Sequence, residues 1–143
     1  MRSTCPDKPA LRLAGLLLAG AMACASAAAP DLSLTADQAY RQGLAWRNGD
    51  GRPVDKAAAL RLLENAAERG VPAAMFTLSH MLAEGEGTKP DRAGARRWLE
   101  TAAQLEYPEA LQEMAMLEPD PQRAAELMRE AGHALQHRAR ETP

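Results

Sequence analysis

Residues Gly49 to Pro72 recur 36 positions further on, and this internal repeat restricts the chain to a small set of folds. The matches are Gly49 with Gly85, Gly51 with Gly87, Asp55 with Asp91, Ala57 with Ala93, Ala59 with Ala95, Arg61 with Arg97, Leu63 with Leu99, Glu64 with Glu100, Ala66 with Ala102, Ala67 with Ala103 and Pro72 with Pro108. A period of this length is the mark of stacked helical hairpins, each of which hides its apolar face only against its neighbours. Such stacks usually serve as binding surfaces, so the repeat says what kind of object the chain is and leaves its ligand open.

The interior must be built mainly from Ala, Leu and Met, because the chain is 46% hydrophobic but only 3% aromatic. Those residues carry high helix propensity, and β-branched residues are few, so the expected class is all-α. On the faces of two expected helices, Ala59, Leu62, Leu63, Ala66 and Ala67, and again Ala95, Trp98, Leu99, Ala102 and Ala103, follow i, i+3, i+4, i+7 spacing. Trp46 and Trp98 are expected as core anchors.

The amino terminus follows a different logic. Arg2, Lys8 and Arg12 precede the apolar run Leu13 to Ala23, and small residues follow from Cys24 to Ala29. This basic, apolar, small order is that of a secretory signal peptide. The apolar run is shorter than the ~20 residues that span a bilayer. Cleavage after Ala28 would define a leader of residues 1–28. Alternatively, Ala21-Met22-Ala23-Cys24 resembles a bacterial lipobox, in which the leader ends before Cys24 and that cysteine carries lipid. The only cysteines are Cys5 and Cys24, so no disulfide is expected to hold the folded part together. The chain has 17 basic and 19 acidic residues, and removing the leader deepens the acidic surplus. Without a basic stripe to neutralise phosphates, nucleic acid is not an expected partner.

Downstream, residues 29–36 read as a lead-in, and Thr35 or Asp37 is the expected cap of a first helix ending near Asn48. The turn from Asn48 to Pro53 is followed by a helix from about Asp55 to Arg69, where Gly70 ends it and Pro72 opens the next. The second unit repeats this grammar, with a helix from Pro72 to Glu84, the turn Gly85 to Pro90 and a helix from Asp91 to Leu105. In the third unit a helix from Pro108 to Glu118 leads to Pro119-Asp120-Pro121 in place of the Gly-x-Gly turn. The register then resumes, with Asp120, Ala124, Leu127, Met128 and Ala131 at the places of Asp91, Ala95, Trp98, Leu99 and Ala102. The repeat region is therefore expected to span 37–135, as units 37–71, 72–107 and a degenerate 108–135, with a flexible polar tail at 136–143.

The pattern Ala74, Leu78, Leu82, Gly85, Gly87, Asp91, Ala95, Trp98, Leu99, Ala102, Ala103 closely resembles a Sel1-like repeat, the 36-residue relative of the tetratricopeptide repeat. The resemblance runs from Gln38 to about Ala131. It implies a right-handed α/α solenoid of about three helical hairpins. Departures are Ser79 at a family glycine, Gln42 at a usual leucine and Glu106 at the helix-ending glycine. The resemblance also implies that the first helix of each hairpin lines a concave groove. The positions facing that groove are Tyr40, Leu44, Arg47 and Asn48 in the first unit, Phe76, His80 and Glu84 in the second, and Gln112 and Met116 in the third. Aromatics beside Arg, Asn and His suit peptide recognition. Equally, Tyr40 and Phe76 could pack on each other between hairpins.

Other chemistry finds little support. The Gly-x-Gly turns lack the lysine of a P-loop and the strand of a dinucleotide site, and Asp50 and Asp55 lack the remaining ligands of a calcium loop. His133 and His137 lie four apart with Glu130 one turn earlier, a spacing that can hold a metal but reads here as a solvated face. The methionines, including Met75, Met81, Met114, Met116 and Met128, read as core filler rather than copper ligands. Ser33 and Ser79 belong to no Ser-His-acid motif, and the repeat region holds no cysteine nucleophile. No catalytic residue, metal or cofactor is assigned. The expectation is an exported scaffold of the bacterial envelope, periplasmic and either soluble or lipid-anchored, that binds a protein or peptide. The alternatives are a small envelope enzyme or cell-wall-active accessory factor, and a structural lipoprotein. Self-association through the solenoid ends is a further expectation for partners.

Overall fold

The architecture comes from a computed structural model that describes residues 34–141. The leader, its cleavage site and Cys24 lie outside these residues. The described chain forms six helices in sequence order: α1 (Ala36–Asn48), α2 (Lys56–Glu68), α3 (Pro72–Glu84), α4 (Arg92–Gln104), α5 (Pro108–Leu117) and α6 (Pro121–Glu141). Packing proceeds stepwise, each helix lying against its neighbours in sequence, so the fold is an all-α repeat solenoid of three hairpins.

Local chemistry starts and stops each helix. Of the two candidate caps for α1, Thr35 is the one used: its hydroxyl accepts from the Gln38 N–H at 3.3 Å, and Gln38 Oε1 accepts from the Thr35 N–H at 3.0 Å. This reciprocal pair is a capping box. Asp55 accepts from the Ala58 N–H and Asp91 from the Gly94 N–H, both at 2.9 Å, so α2 and α4 are capped by the same device one repeat apart. Pro72 and Pro108 open α3 and α5, where a missing N–H costs nothing. Even the turns superimpose in their bonding: Asp55 N–H donates to the Trp46 carbonyl at 2.9 Å, and Asp91 N–H to the Leu82 carbonyl at 2.8 Å.

The core divides in two. Leu62, Leu63, Leu78 and Met81 are fully buried and form, with Ala59, Ala66, Ala74 and Ala102, a cluster that joins α1 to α4 and reaches Ala110. Each buried leucine contributes about 1.5–3 kcal/mol of transfer free energy. The third hairpin has a separate, smaller cluster of Leu111, Ala115, Leu127 and Ala131. Trp46 and Trp98 are half-buried against the larger core. The methionines split: Met75 and Met81 are buried, whereas Met116 is 81% and Met128 51% exposed, contrary to their expected role as filler. Both lie on the third hairpin, on faces turned away from its small core.

The expected flexible tail at 136–143 is instead helical through Glu141. Its anchor is Arg138, whose two guanidinium nitrogens each donate to a Glu109 carboxylate oxygen at 2.8 Å. The same group lies 5.1 Å from the centre of the Tyr107 ring. A bidentate pair of this kind fixes orientation as well as distance. At the end of α4, Glu106 takes φ 55°, where the preceding repeat has Gly70 at 88°. For a residue with a side chain this left-handed conformation costs about 1 kcal/mol or more.

The hairpins are joined at the second turn. Glu86 accepts from Arg47 Nε at 2.7 Å and from Lys56 Nζ at 2.9 Å, tying the turn to both helices of the first hairpin. These two hydrogen bonds hold the Glu86 carboxyl below the usual carboxylate range. Beside it, a Cβ on Gly87 would fall 2.6 Å from the Lys56 carbonyl carbon and 2.9 Å from the Ala57 nitrogen, while one on Gly51 would meet nothing within 4 Å. Both glycines have positive φ, 78° and 70°, so an alanine is strained at either. G51A is expected to cost about 1–2 kcal/mol, and G87A distinctly more, about 3 kcal/mol or above, because backbone must also move; urea unfolding of the two variants makes the comparison. For Glu86, a lowered native pKa means stability that is present above the unfolded carboxylate value near about pH 4.3 and lost as pH falls through the native value. E86Q should therefore be less stable than the parent at neutral pH, with the difference shrinking on acidification; a constant difference from neutral pH down to about pH 2 would show that the charge is not responsible.

Candidate interaction face

The 36-residue register arranges the first helices of the hairpins as parallel rows. Tyr40, Phe76 and Gln112 occupy one level, and Leu44, His80 and Met116 the next, one helical turn further along. Tyr40, Leu44, Arg47, Phe76, His80 and Gln112 are half-buried, whereas Asn48, Glu84 and Met116 are exposed.

At the middle of this face the structure builds a cluster. The Phe76 ring meets the His80 ring edge-on, with centroids 4.7 Å apart and planes at 78°, and lies 5.6 Å from the Tyr107 ring. The edge-on arrangement sets a positive ring edge against a negative face. His80 Nε2 is 3.0 Å from Glu113 Oε2, which links the second hairpin to the third. Tyr107 adjoins Glu109 and Arg138. Burial first, and then the nearby Glu109 charge, push its phenol up from the ordinary value. The Arg138 hydrogen bonds hold the Glu109 carboxyl low, and Glu109 in return holds the Arg138 guanidinium high. The outcome is an aromatic patch bordered by the Arg138–Glu109 ion pair and the His80–Glu113 contact.

Phe76 and His80, four residues apart on α3, meet directly, and Tyr40 packs against the main core. Arg47, expected to face a ligand, is engaged by Glu86. Tyr107, Glu113 and Arg138 belong to the cluster although sequence reasoning did not select them. Tyr107 had a usable signal, since it occupies the cap position before Pro108 just as Val71 does before Pro72. Glu113 shares a register position with Arg41 and Thr77 and had none. Ser79 is 4% exposed, and its hydroxyl donates to the Phe76 carbonyl at 2.7 Å, an arrangement that braces the helix and does not present a nucleophile.

The sequence pattern of the Sel1 repeat matches residues 39–71, 72–107 and 112–134. Among solved structures, a Sel1 repeat protein from Oxalobacter formigenes superposes with a TM-score of 0.67 at 25% identity, over 70% of this chain and 44% of the other. A second similar structure is c5321, a protective antigen present in uropathogenic Escherichia coli strains displaying an SLR fold; its TM-score is 0.63 at 30% identity, over 68% of this chain and 22% of that one. The chain thus spans less than half the length of these two proteins. A search of curated proteins found no match. The repeated caps, the shared turn bonding and the matched units together place this chain in the Sel1 repeat family.

Proposed function

We propose that the chain is a non-catalytic adaptor of the bacterial envelope that holds a protein or peptide along the face formed by α1, α3 and α5. Sel1 repeat proteins are generally protein-interaction scaffolds. The observation that carries the reading here is the half-buried Phe76–His80–Tyr107 cluster, with the Arg138–Glu109 ion pair at its edge and Met116, one repeat on from His80, 81% exposed. Aromatic anchors ringed by satisfied polar groups are the usual core of a recognition site. The paired groups at the rim fix orientation, and the apolar patch supplies the surface removed from water on binding. Export rests on the basic, apolar and small segments that succeed one another up to Ala29, with Cys24 as the alternative point of lipid attachment.

Photoreactive side chains placed at Leu44 and at Met116, with Glu68 on α2 as the control, test this in the native envelope. The expected result is one adduct of the same mass from both face positions and none from position 68. An identical smear from all three, or silence at both face positions, would remove the adaptor reading.

A further inference from the structure

The last helix carries a second apolar face that nothing among the described residues covers. On one side of α6, Leu127 and Ala131 are buried with Leu111 and Ala115 of its own hairpin. A separate stripe, Pro121, Ala125, Met128, Gly132, Leu135 and Ala139, runs at alternating spacings of four and three residues. That period is the seam of a coiled coil, here along about 27 Å of helix. Met128 is 51% and Leu135 40% exposed, and a Cβ added at Gly132 would meet nothing within 4 Å. The stripe itself holds no charged residue, and Gln122, Arg129 and Gln136 border it.

The repeat register distinguishes this stripe from ordinary surface. Met128 stands where the first two units have Leu63 and Leu99, which are 0% and 4% exposed. Leu135 stands where Gly70 and Glu106 take positive φ just beyond α2 and α4. Instead of ending there, α6 runs on to 21 residues against 13 in each of those helices. The continuation adds Leu135 and Ala139 to the seam.

The order of side chains along the stripe selects its occupant. It is symmetric about Glu130: Met128 and Gly132, Ala125 and Leu135, and Pro121 and Ala139 lie equally far to either side, and each pair joins a larger residue to a small one. When the α6 of a second copy lies antiparallel across a two-fold axis at this point, Met128 faces Gly132, Leu135 faces Ala125 and Pro121 faces Ala139. Large against small at every level is what close packing requires. A parallel pair would set Met128 on Met128 and leave Gly132 opposite Gly132. The other end of the solenoid offers no such match. There α1 has exposed Gln38 and half-buried Gln42 where α3 has buried Ala74 and Leu78, so head-to-tail stacking would take amide side chains out of water.

We infer that two copies of the chain pair through α6, antiparallel about a two-fold axis at Glu130, as a closed dimer. The seam shares no residue with the face of α1, α3 and α5, so the dimer carries two such faces. A single two-helix seam is at the small end of specific interfaces, and the dimer is expected to form at about 10–100 μM.

The test uses the full chain carrying C5S/C24S, in which introduced cysteines are the only thiols. A125C and L135C, made separately in that chain and distinguished by isotope label, are mixed in a glutathione redox buffer. The expected result is a disulfide between position 125 of one copy and position 135 of the other, about tenfold or more in excess of either homodimer, because antiparallel pairing separates like positions by about 15 Å, beyond the reach of a disulfide. In sedimentation velocity, M128K/L135K should weaken association at least about tenfold, and E64Q/E68Q, which changes the net charge by as much on α2, should leave it unaltered. Circular dichroism of each variant confirms that the helices are retained. Predominant homodimers of A125C or L135C, no disulfide in the mixture, or equal association of the parent and M128K/L135K would each overturn the proposal.

Discussion

Where the backbone of Gly87 lies against the peptide group between Lys56 and Ala57, two hairpins become one body. The turn of the second unit is pressed onto the beginning of α2, and Glu86 closes the joint by holding Arg47 and Lys56 together. Helical hairpins cannot bury their apolar faces alone, so the quality of this joint decides whether Leu62, Leu63, Leu78 and Met81 share one interior. The same contact holds the turn after α3 against the first hairpin. A glycine in the turn is thus a packing requirement before it is a conformational one.

The third hairpin is attached differently. It lacks the Gly-x-Gly turn, and in its place Glu118 accepts from the Asp120 N–H at 3.2 Å while Asp120 accepts from Gln122 at 3.0 Å. That local arrangement starts α6. The third hairpin is joined to the others by Ala110 in the main core, by Ala103 and Met114, which pack against both cores, and by the His80–Glu113 and Phe76–Tyr107 contacts. Polar and aromatic contacts of the candidate face thus sit at the seam between the two cores. A ligand lying on that face would bridge the seam, so binding there would be coupled to how firmly the third hairpin is held.

Much of this was legible because repeats write local chemistry twice. Asp55 and Asp91 as caps, Pro72 and Pro108 as first helical residues, and the alanine and leucine faces of α2 and α4 all depend on neighbours within one or two turns. The face around Phe76 was visible only in part. Its row followed from the period, but Glu113 and Arg138 join it through contacts made across 33 and 29 residues, and nothing local in their surroundings announces those partners. For the same reason the segment after 135 read as a tail: its composition is polar, and the Arg138–Glu109 pair that anchors it is a tertiary fact. Met116 and Met128 mark a further limit, since helical spacing identifies a stripe without saying whether another helix covers it.

The central claim is that the first two hairpins form one cooperative body to which the third is added through a thinner seam. Native-state hydrogen exchange across residues 36–141 measures this directly, because it reports an opening free energy for each helix. The account predicts that the slowest amides of α2 and α3 share the global value and that α5 and α6 open together at a lower one. Amides of α6 as protected as those of α2 would contradict it, and would mean that a single core spans all six helices.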